Sequence, residues 1–374
     1  MSLTKWGLPL AAVVVAVGVT LDGRSASPPS AQGASSQVPF RGGTNTVPVY
    51  VTVRDPERGF LTNLTRDDFE IRDEGKLQTI TQFAIDTQPL SIVVLIDGSG
   101  SMMSEFSRAL EGATSLVLRL LPADRARVGS FADRVQFGPR FTSDRDELVA
   151  YLKDEFNLRI GNETHLWEAI DESAKLLSGE HGKRVVLVMS DGYNFVLPPG
   201  FKQANTPPKP GGPPPIGAGP GGSPIGLGGR NPTGGSAPPP GTQPGMDPGD
   251  PARNGVSIED VRSRVLSTDT LIFAVSMWVR DGKNEMRPNQ DLPKLAVETG
   301  GAFYVVRPFD DTFSPFAQII DQLRKQYVLG FTPAKLDGKR HSIAVKVKRP
   351  NVDVHARRSY IAAAGAPARA ANPQ

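Results

Sequence analysis

Asp97-Gly98-Ser99-Gly100-Ser101 is where this sequence most openly offers chemistry. A carboxylate and two hydroxyls alternate with glycines, and the glycines let a tight loop curl until all three oxygens point inward. Two further oxygen donors recur downstream. Thr164 lies in GNETHLWEAI, just ahead of a helical pattern, and Asp191 lies in SDG, directly after the apolar run RVVLVM. Hard oxygen donors without histidine or cysteine suit magnesium, and otherwise manganese or calcium, rather than zinc. Three loops thus supply two carboxylates and three hydroxyls for one divalent cation.

Other chemistries fit these residues poorly. The residues two before and two after Ser99 are Asp97 and Ser101, so the nucleophile-elbow pattern of a serine hydrolase fails. The four histidines, His165, His181, His341 and His355, lie in no recognisable triad motif, and His165 reads as a local packing residue. No lysine follows the glycines in the way a nucleotide phosphate loop requires. Asp97 and Asp191 as an acid–base pair would need pKa values driven apart, whereas a bound cation would keep both ionised. Phe106, Phe131 and Trp167 read as core residues. Asn162-Glu163-Thr164 fits a glycosylation acceptor, but a sugar there would crowd the cation loops. No enzymatic activity is expected.

The elements that must position these loops follow from periodicity. SIVVLI (91–96), RVVLVM (184–189) and TLIFAV (270–275) are continuous apolar runs, as expected of strands buried on both faces of a parallel sheet. Arg127–Phe131 and Val135–Phe137 read as shorter strands, the second at an edge, and Ala302–Val306 as a last one. Helical spacing covers about Met103–Leu121, Asp144–Asp154, Leu166–Leu177 and Pro315–Gln326. Alternating strands and helices predict an α/β fold with a doubly wound, mostly parallel sheet. Ligands of such sheets bind at the carboxyl ends of strands, where Asp97 and Asp191 fall.

The flanks have a different rhythm. Val47, Val49, Val51 and Val53 share one strand face, Asp55–Gly59 is a turn, Phe69 and Ile71 alternate with charges, and Glu74-Gly75 is another turn. After the strand QYVLGFT, Ile343, Val345 and Val347 alternate with lysines, with Val352, Val354 and Ala356 read as their partner strand. Each flank is marginal alone, so the two are expected to pack into one accessory β-subdomain. The expected organisation is a lead at 1–37, an N-terminal β-subdomain at 38–89, the α/β domain at 90–331, a C-terminal β-hairpin at 332–361 and a disordered tail at 362–374. An insert at 198–254 interrupts the α/β domain. Between Pro198 and Pro251 lie 17 of the 34 prolines and 15 of the 39 glycines, a composition expected to be disordered. It reads either as a tolerated surface loop or as a mobile cover, since it begins a few residues after Asp191.

At this point the sequence resembles the von Willebrand factor type A (vWA) family. That family's metal-ion-dependent adhesion site combines Asp-x-Ser-x-Ser with a distant Thr and a distant Asp. All five positions match, at Asp97, Ser99, Ser101, Thr164 and Asp191, and SIVVLIDGSGSM and RVVLVMSDG stand in the family's order. The flanks TVPVYVTVRD, LTRDDFEIRDEGKLQTITQF and QYVLGFTPAKLDGKRHSIAVKVKR look like the VWFA-related Acidobacterial domain group. The insert after Asp191 departs from the pattern. The resemblance implies a Rossmann-like vWA fold, a cation held by those five residues, and an open coordination position that a partner protein's Asp or Glu completes.

Composition narrows the partners and the compartment. A formal charge of +3 is too small to imply nucleic acid, and no basic stretch interleaves with aromatic residues. The absence of cysteine removes disulfides, thiolate metal sites and a lipoprotein anchor. Lys5, the apolar run Trp6–Leu21 and small residues around 25–35 have the layout of a secretory signal, with an uncleaved membrane anchor as the other reading. The expected protein is therefore secreted, periplasmic or at the cell surface, and binds a protein ligand in a metal-dependent way. The alternative is an accessory subunit of an enzyme or secretion complex, without catalytic activity of its own.

Overall fold

The computed structural model describes residues 46–86, 88–155, 161–196, 255–277, 280–281, 284–285, 290–307 and 310–363. The expected export segment at 1–37, the insert at 198–254 and all but the first two residues of the expected tail lie outside the described residues.

The chain enters through β1 (Val47–Asp55), β2 (Gly59–Phe60), β3 (Phe69–Asp73), β4 (Lys76–Gln78) and β5 (Gln82–Ile85). Between β2 and β3, Thr65 and Asp68 form a reciprocal capping box over one turn of 3₁₀-helix. The α/β unit then opens with β6 (Leu90–Asp97), α1 (Phe106–Leu118), β7 (Arg125–Phe131), β8 (Val135–Phe137) and α2 (Arg145–Glu155). It continues through α3 (Leu166–Ser178), β9 (Lys183–Ser190), α4 (Ile258–Ser267) and β10 (Leu271–Met277). A two-residue ladder, β11 (Arg280–Asp281) with β12 (Asn284–Glu285), precedes α5 (Asp291–Thr299), β13 (Phe303–Val306) and α6 (Phe313–Arg324). Four strands finish the described chain: β14 (Tyr327–Phe331), β15 (Arg340–Val347), β16 (Asp353–Ala356) and β17 (Ser359–Ile361).

Burial dictates the layering. Every residue of β6 and of β10 is buried, so helices must cover both faces of their sheet. The six-stranded order is β13-β10-β9-β6-β7-β8, parallel throughout except for the antiparallel edge strand β8. Alternate residues feed two cores. Ile92, Val94 and Ile96 pack with Ala109, Leu116, Leu152, Phe316 and Ile319 from α1, α2 and α6. Val93 and Leu95 pack with Ile170, Val261 and Leu292 from α3, α4 and α5. This is the doubly wound α/β sheet that the apolar runs predict.

The close approach of α1 to α6 depends on Gly112, where an added Cβ would stand 2.1 Å from the Phe316 ring. Helices α4 and α5 were not expected from the sequence. Helix α4 starts at a clear signal, a reciprocal capping box between Ser257 and Asp260. Helix α5 ends at Gly300, whose φ of 89° is left-handed.

The flanks do combine, as two antiparallel sheets around one apolar cluster. One has the order β16-β1-β14-β5, with β2 on β1, and the other β17-β15-β3-β4. Val49, Val51, Val53, Phe69, Ile71, Tyr327, Leu329, Phe331 and Tyr360 fill the space between them. Two details differ from the sequence reading. Strand β14, grouped there with the α/β unit, pairs with β1 and β5 instead. Strands β15 and β16, read as hairpin partners, join different sheets: β15 pairs with β3 and β17, and β16 with β1. Alternation shows that a strand has one buried face, but not which edge completes it. Ala362, assigned to the tail, is buried and hydrogen-bonds to Lys339 O (2.9 Å).

The two units share a buried ion pair. Lys183, at the start of β9, contacts Asp86 and donates to Leu323 O (2.6 Å) and Gln326 Oε1 (2.7 Å), with its Nζ 5.0 Å from the Tyr50 ring centre. Among the described residues no helix is long and apolar enough to cross a membrane.

Candidate metal centre

Strand β6 delivers Asp97 to the carboxyl edge of the sheet, fully buried. The glycine-rich loop then turns through a short 3₁₀ segment, Gly100–Met102, before α1 begins. Asp97 Oδ1 accepts from Ser99 N (2.9 Å), which folds the loop back over its own carboxylate. Ser99 Oγ and Ser101 Oγ lie 3.1 Å apart, and Ser101 Oγ donates to Asp191 Oδ2 (2.6 Å). Asp191, just past β9, is held by the donation of Tyr193 N to its Oδ1 (3.2 Å). Four of the five residues singled out in the sequence therefore share one hydrogen-bonded network, with Ser101 exposed at its mouth.

Thr164 joins through its backbone. Gly161 N donates to Gly98 O (3.0 Å) and Gly161 O accepts from Gly100 N (2.9 Å), stitching the second loop to the first. Thr164 N donates to Phe195 O (2.6 Å), and Phe195 N donates to Thr164 O (3.0 Å), stitching it to the third. A Cβ on Gly161 would lie 2.6 Å from Ala132 Cβ and 2.7 Å from Asp133 Oδ1, so only glycine permits this approach. Thr164 itself is buried.

The electrostatics leave the pair of carboxylates unbalanced. Burial, and then the charge of Asp191, push Asp97 up to about 7, against hydrogen bonds from Ser190 and Ser99 that pull it down. Burial also raises Asp191, although Ser101 and Tyr193 donate to it. Two buried acids that repel each other, with hydroxyls between them, fit a hard divalent cation. Among the described residues no group of three or more His, Cys, Asp or Glu side chains is arranged to hold a metal, so the site's capacity rests on its hydroxyls as much as on its carboxylates.

His165 stays out of this network. Its ring nitrogens lie 2.7 Å from Glu168 Oε2 and 2.7 Å from Glu163 Oε2. Burial works against its charge, yet these two hydrogen bonds hold its pKa above the usual histidine value. Phe131 and Trp167 are core residues, as their spacing suggests.

Three contributors escaped the sequence reading. Ser190 Oγ donates to Asp97 Oδ2 (2.6 Å) and accepts from Gly192 N (2.9 Å). Ser276, in register with Ser190 on the next strand, is fully buried, and its hydroxyl has no hydrogen-bond partner. Asp133 Oδ1 accepts from Asn162 N (2.6 Å) and Glu163 N (2.8 Å), shaping the loop of Thr164. The available signal was a serine at or next to the end of two largely apolar strands, RVVLVMS and FAVSM. Asp133 had none.

At the carboxyl edge of an open α/β sheet, the loops after β6 and β9 bring together two acids and two hydroxyls, and the loop of Thr164 is stitched to both through its backbone. Residues 92–194 match the family model of the von Willebrand factor type A domain. The match runs from β6 through the loop of Asp191, so this stretch of the chain is similar to that domain.

Solved structures with similar folds include an aerotolerance-related membrane protein from Bacteroides fragilis, at 14% identity and a TM-score of 0.41, covering 63% of this chain and 99% of that one. BatB from Bacteroides thetaiotaomicron is similar at 14% identity and a TM-score of 0.39, with the same coverage of 63% and 99%. Proximal thread matrix protein 1 from the mussel byssus, with a zinc-occupied MIDAS motif, is similar at 15% identity and a TM-score of 0.42, covering 68% of this chain and 50% of that one. No curated protein matches the sequence.

Proposed function

We propose that the protein is an exported, non-catalytic binding protein that captures an acidic side chain of a protein partner through a divalent cation. Asp97, Ser99, Ser101, Thr164 and Asp191 would hold the ion, with magnesium first and manganese or calcium as alternatives. One observation carries the reading. Two buried carboxylates from neighbouring strand ends repel each other, and the exposed residue Ser101 donates to one of them, Asp191, at the mouth of the site. A cation there relieves the repulsion and presents positive charge at the surface, where a partner's carboxylate gains a charge-assisted contact.

In this reading the described residues of the site bind and orient rather than move a proton. His165 is occupied by two glutamates, and Ser101 lies between Ser99 and the Asp191 carboxylate, with no histidine beside either hydroxyl among the described contacts. The apolar run Trp6–Leu21 behind Lys5 supports export to the periplasm, the cell surface or beyond.

Calorimetric titration of the chelator-stripped full chain with Mg²⁺ and Mn²⁺ tests the site. Saturable binding that Asp191→Ala abolishes is expected. Equal binding by Asp191→Ala and the unaltered chain would remove the site assignment.

A further inference from the structure

The loops that carry the candidate cation site also expose two large apolar side chains. Met103, two residues past Ser101, is 60% exposed, and Phe195, paired through its backbone with Thr164, is 42% exposed. Only eight large hydrophobic residues among the described ones are exposed, and two of them fall on these three short loops. Met103 leaves the first loop toward α1, and Phe195 closes the third loop against the second. Scattered apolar residues are ordinary on a surface, but two on loops that share one polar centre can serve a ligand bound there.

The charges around the mouth point the same way. Asp133 is exposed on the loop after β7, and Glu163 and Glu168 flank His165. Against Asp97, Asp191, Asp133, Glu163 and Glu168, the described residues of these loops carry His165 and Arg134 as their only cationic side chains, while Glu105 is matched by Arg108 at 2.6 Å. One divalent ion therefore leaves the rim acidic. It can welcome a single incoming carboxylate, while every further acid in the partner meets repulsion.

We infer that the partner segment presents one isolated Asp or Glu between apolar side chains, rather than an acidic run. This rests on the carboxylate-accepting reading above and adds the identity of the neighbours. Met103 and Phe195 would cover the partner's apolar side chains on either side of the acid, and Asp133 and Glu163 would reject polyacidic segments.

Fluorescence anisotropy on the full chain, with saturating Mn²⁺ or with chelator, tests this with three labelled decapeptides. One places Asp between Leu and Phe in a Gly/Ser background, one has Asp in Gly/Ser alone, and one has six consecutive Asp residues. The apolar-flanked peptide is expected to bind about tenfold tighter than the plain one, the size of effect that partial burial of two side chains gives. The six-Asp peptide is expected to bind weakest.

Met103→Gln and Phe195→Ser are each expected to cut that tenfold preference to about threefold. Phe195→Leu, which keeps an apolar side chain, should retain it and so controls for loop damage. Equal binding of all three peptides, tightest binding of the six-Asp peptide, or a preference unchanged in Met103→Gln and Phe195→Ser would overturn the inference and leave the cation site standing. No Mn²⁺-dependent binding of any peptide by a chain that calorimetry shows to be loaded would overturn the carboxylate reading as well.

Discussion

Replacing Asp97 with Asn should make the cation-free protein more stable, the opposite of what removing a buried hydrogen-bonded acid ordinarily does. The folded chain holds the Asp97 proton far more tightly than the unfolded chain, because burial and Asp191 push its pKa from 3.8 up to about 7. Its contribution to stability is thus fully present below about 3.8 and is lost as pH rises through about 7. Roughly three pKa units correspond to about 4 kcal/mol at pH 8. Asn keeps the shape but offers one acceptor oxygen where Asp97 offers two, to Ser99 N and to Ser190 Oγ, and a lost hydrogen bond costs about 1 kcal/mol. The net gain at pH 8 is about 3 kcal/mol, or roughly 5–10 °C in Tm for a domain of this size. At pH 5 the gain should shrink to about 1 kcal/mol, because Asp97 is then protonated in the folded chain. Cation reverses the ranking of responses. The unaltered chain should gain about 3 kcal/mol at a hundredfold excess of ion over Kd, and Asp97→Asn should gain little. Differential scanning fluorimetry at pH 5 and pH 8, with chelator and with Mg²⁺ or Mn²⁺, reads all of these terms. A variant less stable than the unaltered chain in chelator at pH 8, or one that responds equally to cation, would refute the reasoning.

Three further outcomes are expected. Lys183→Ala leaves Asp86 buried without its partner and should cost about 3–5 kcal/mol by denaturant unfolding, whereas Lys183→Met combined with Asp86→Leu should recover most of the loss. Gly161→Ala drives a Cβ into Ala132 and Asp133, so it should destabilise by roughly 1–3 kcal/mol and weaken calorimetric cation affinity, since the loop of Thr164 must shift. Ser257→Ala removes the capping box of α4 and should lower stability by about 1 kcal/mol, with cation binding measured alongside.

The α/β sheet was legible because its strands are buried on both faces, and unbroken apolar runs such as SIVVLI leave few other ways to fold. Helix α4 was hidden by its position. It follows directly on the proline- and glycine-rich insert that ends at 254, and the short pattern Ile258, Val261 and Val265 is easily passed over beside it, although Ser257 and Asp260 announce a helix start. Helix α5 carries Pro293 in its first turn, where proline is tolerated because the backbone N–H has no partner there. Strand pairing in the flanks was hidden for a different reason. Alternation in β15 reports one buried face, and that face is satisfied equally by β16 or by β3, so the choice belongs to the tertiary structure.

The site was legible to the extent that its chemistry needs particular atoms. Asp97, Ser99, Ser101 and Asp191 are polar residues at strand ends where packing alone would favour apolar ones, and such exceptions stand out in a sequence. Ser190 and Ser276 break the same rule but look like ordinary strand termini, because a serine offends an apolar pattern far less than an aspartate does. Their role emerges only from register: Asp97 and Ser190 end their strands, Ser276 is next to last in β10, and all three lie on the face that Leu95, Val188 and Ala274 occupy one step earlier. A polar row therefore closes that face of the core at the point where the loops begin. The site is the place where the sheet's apolar interior stops, and the repulsion of its two buried carboxylates is relieved there by protonation of Asp97 or, in the proposed reading, by a cation.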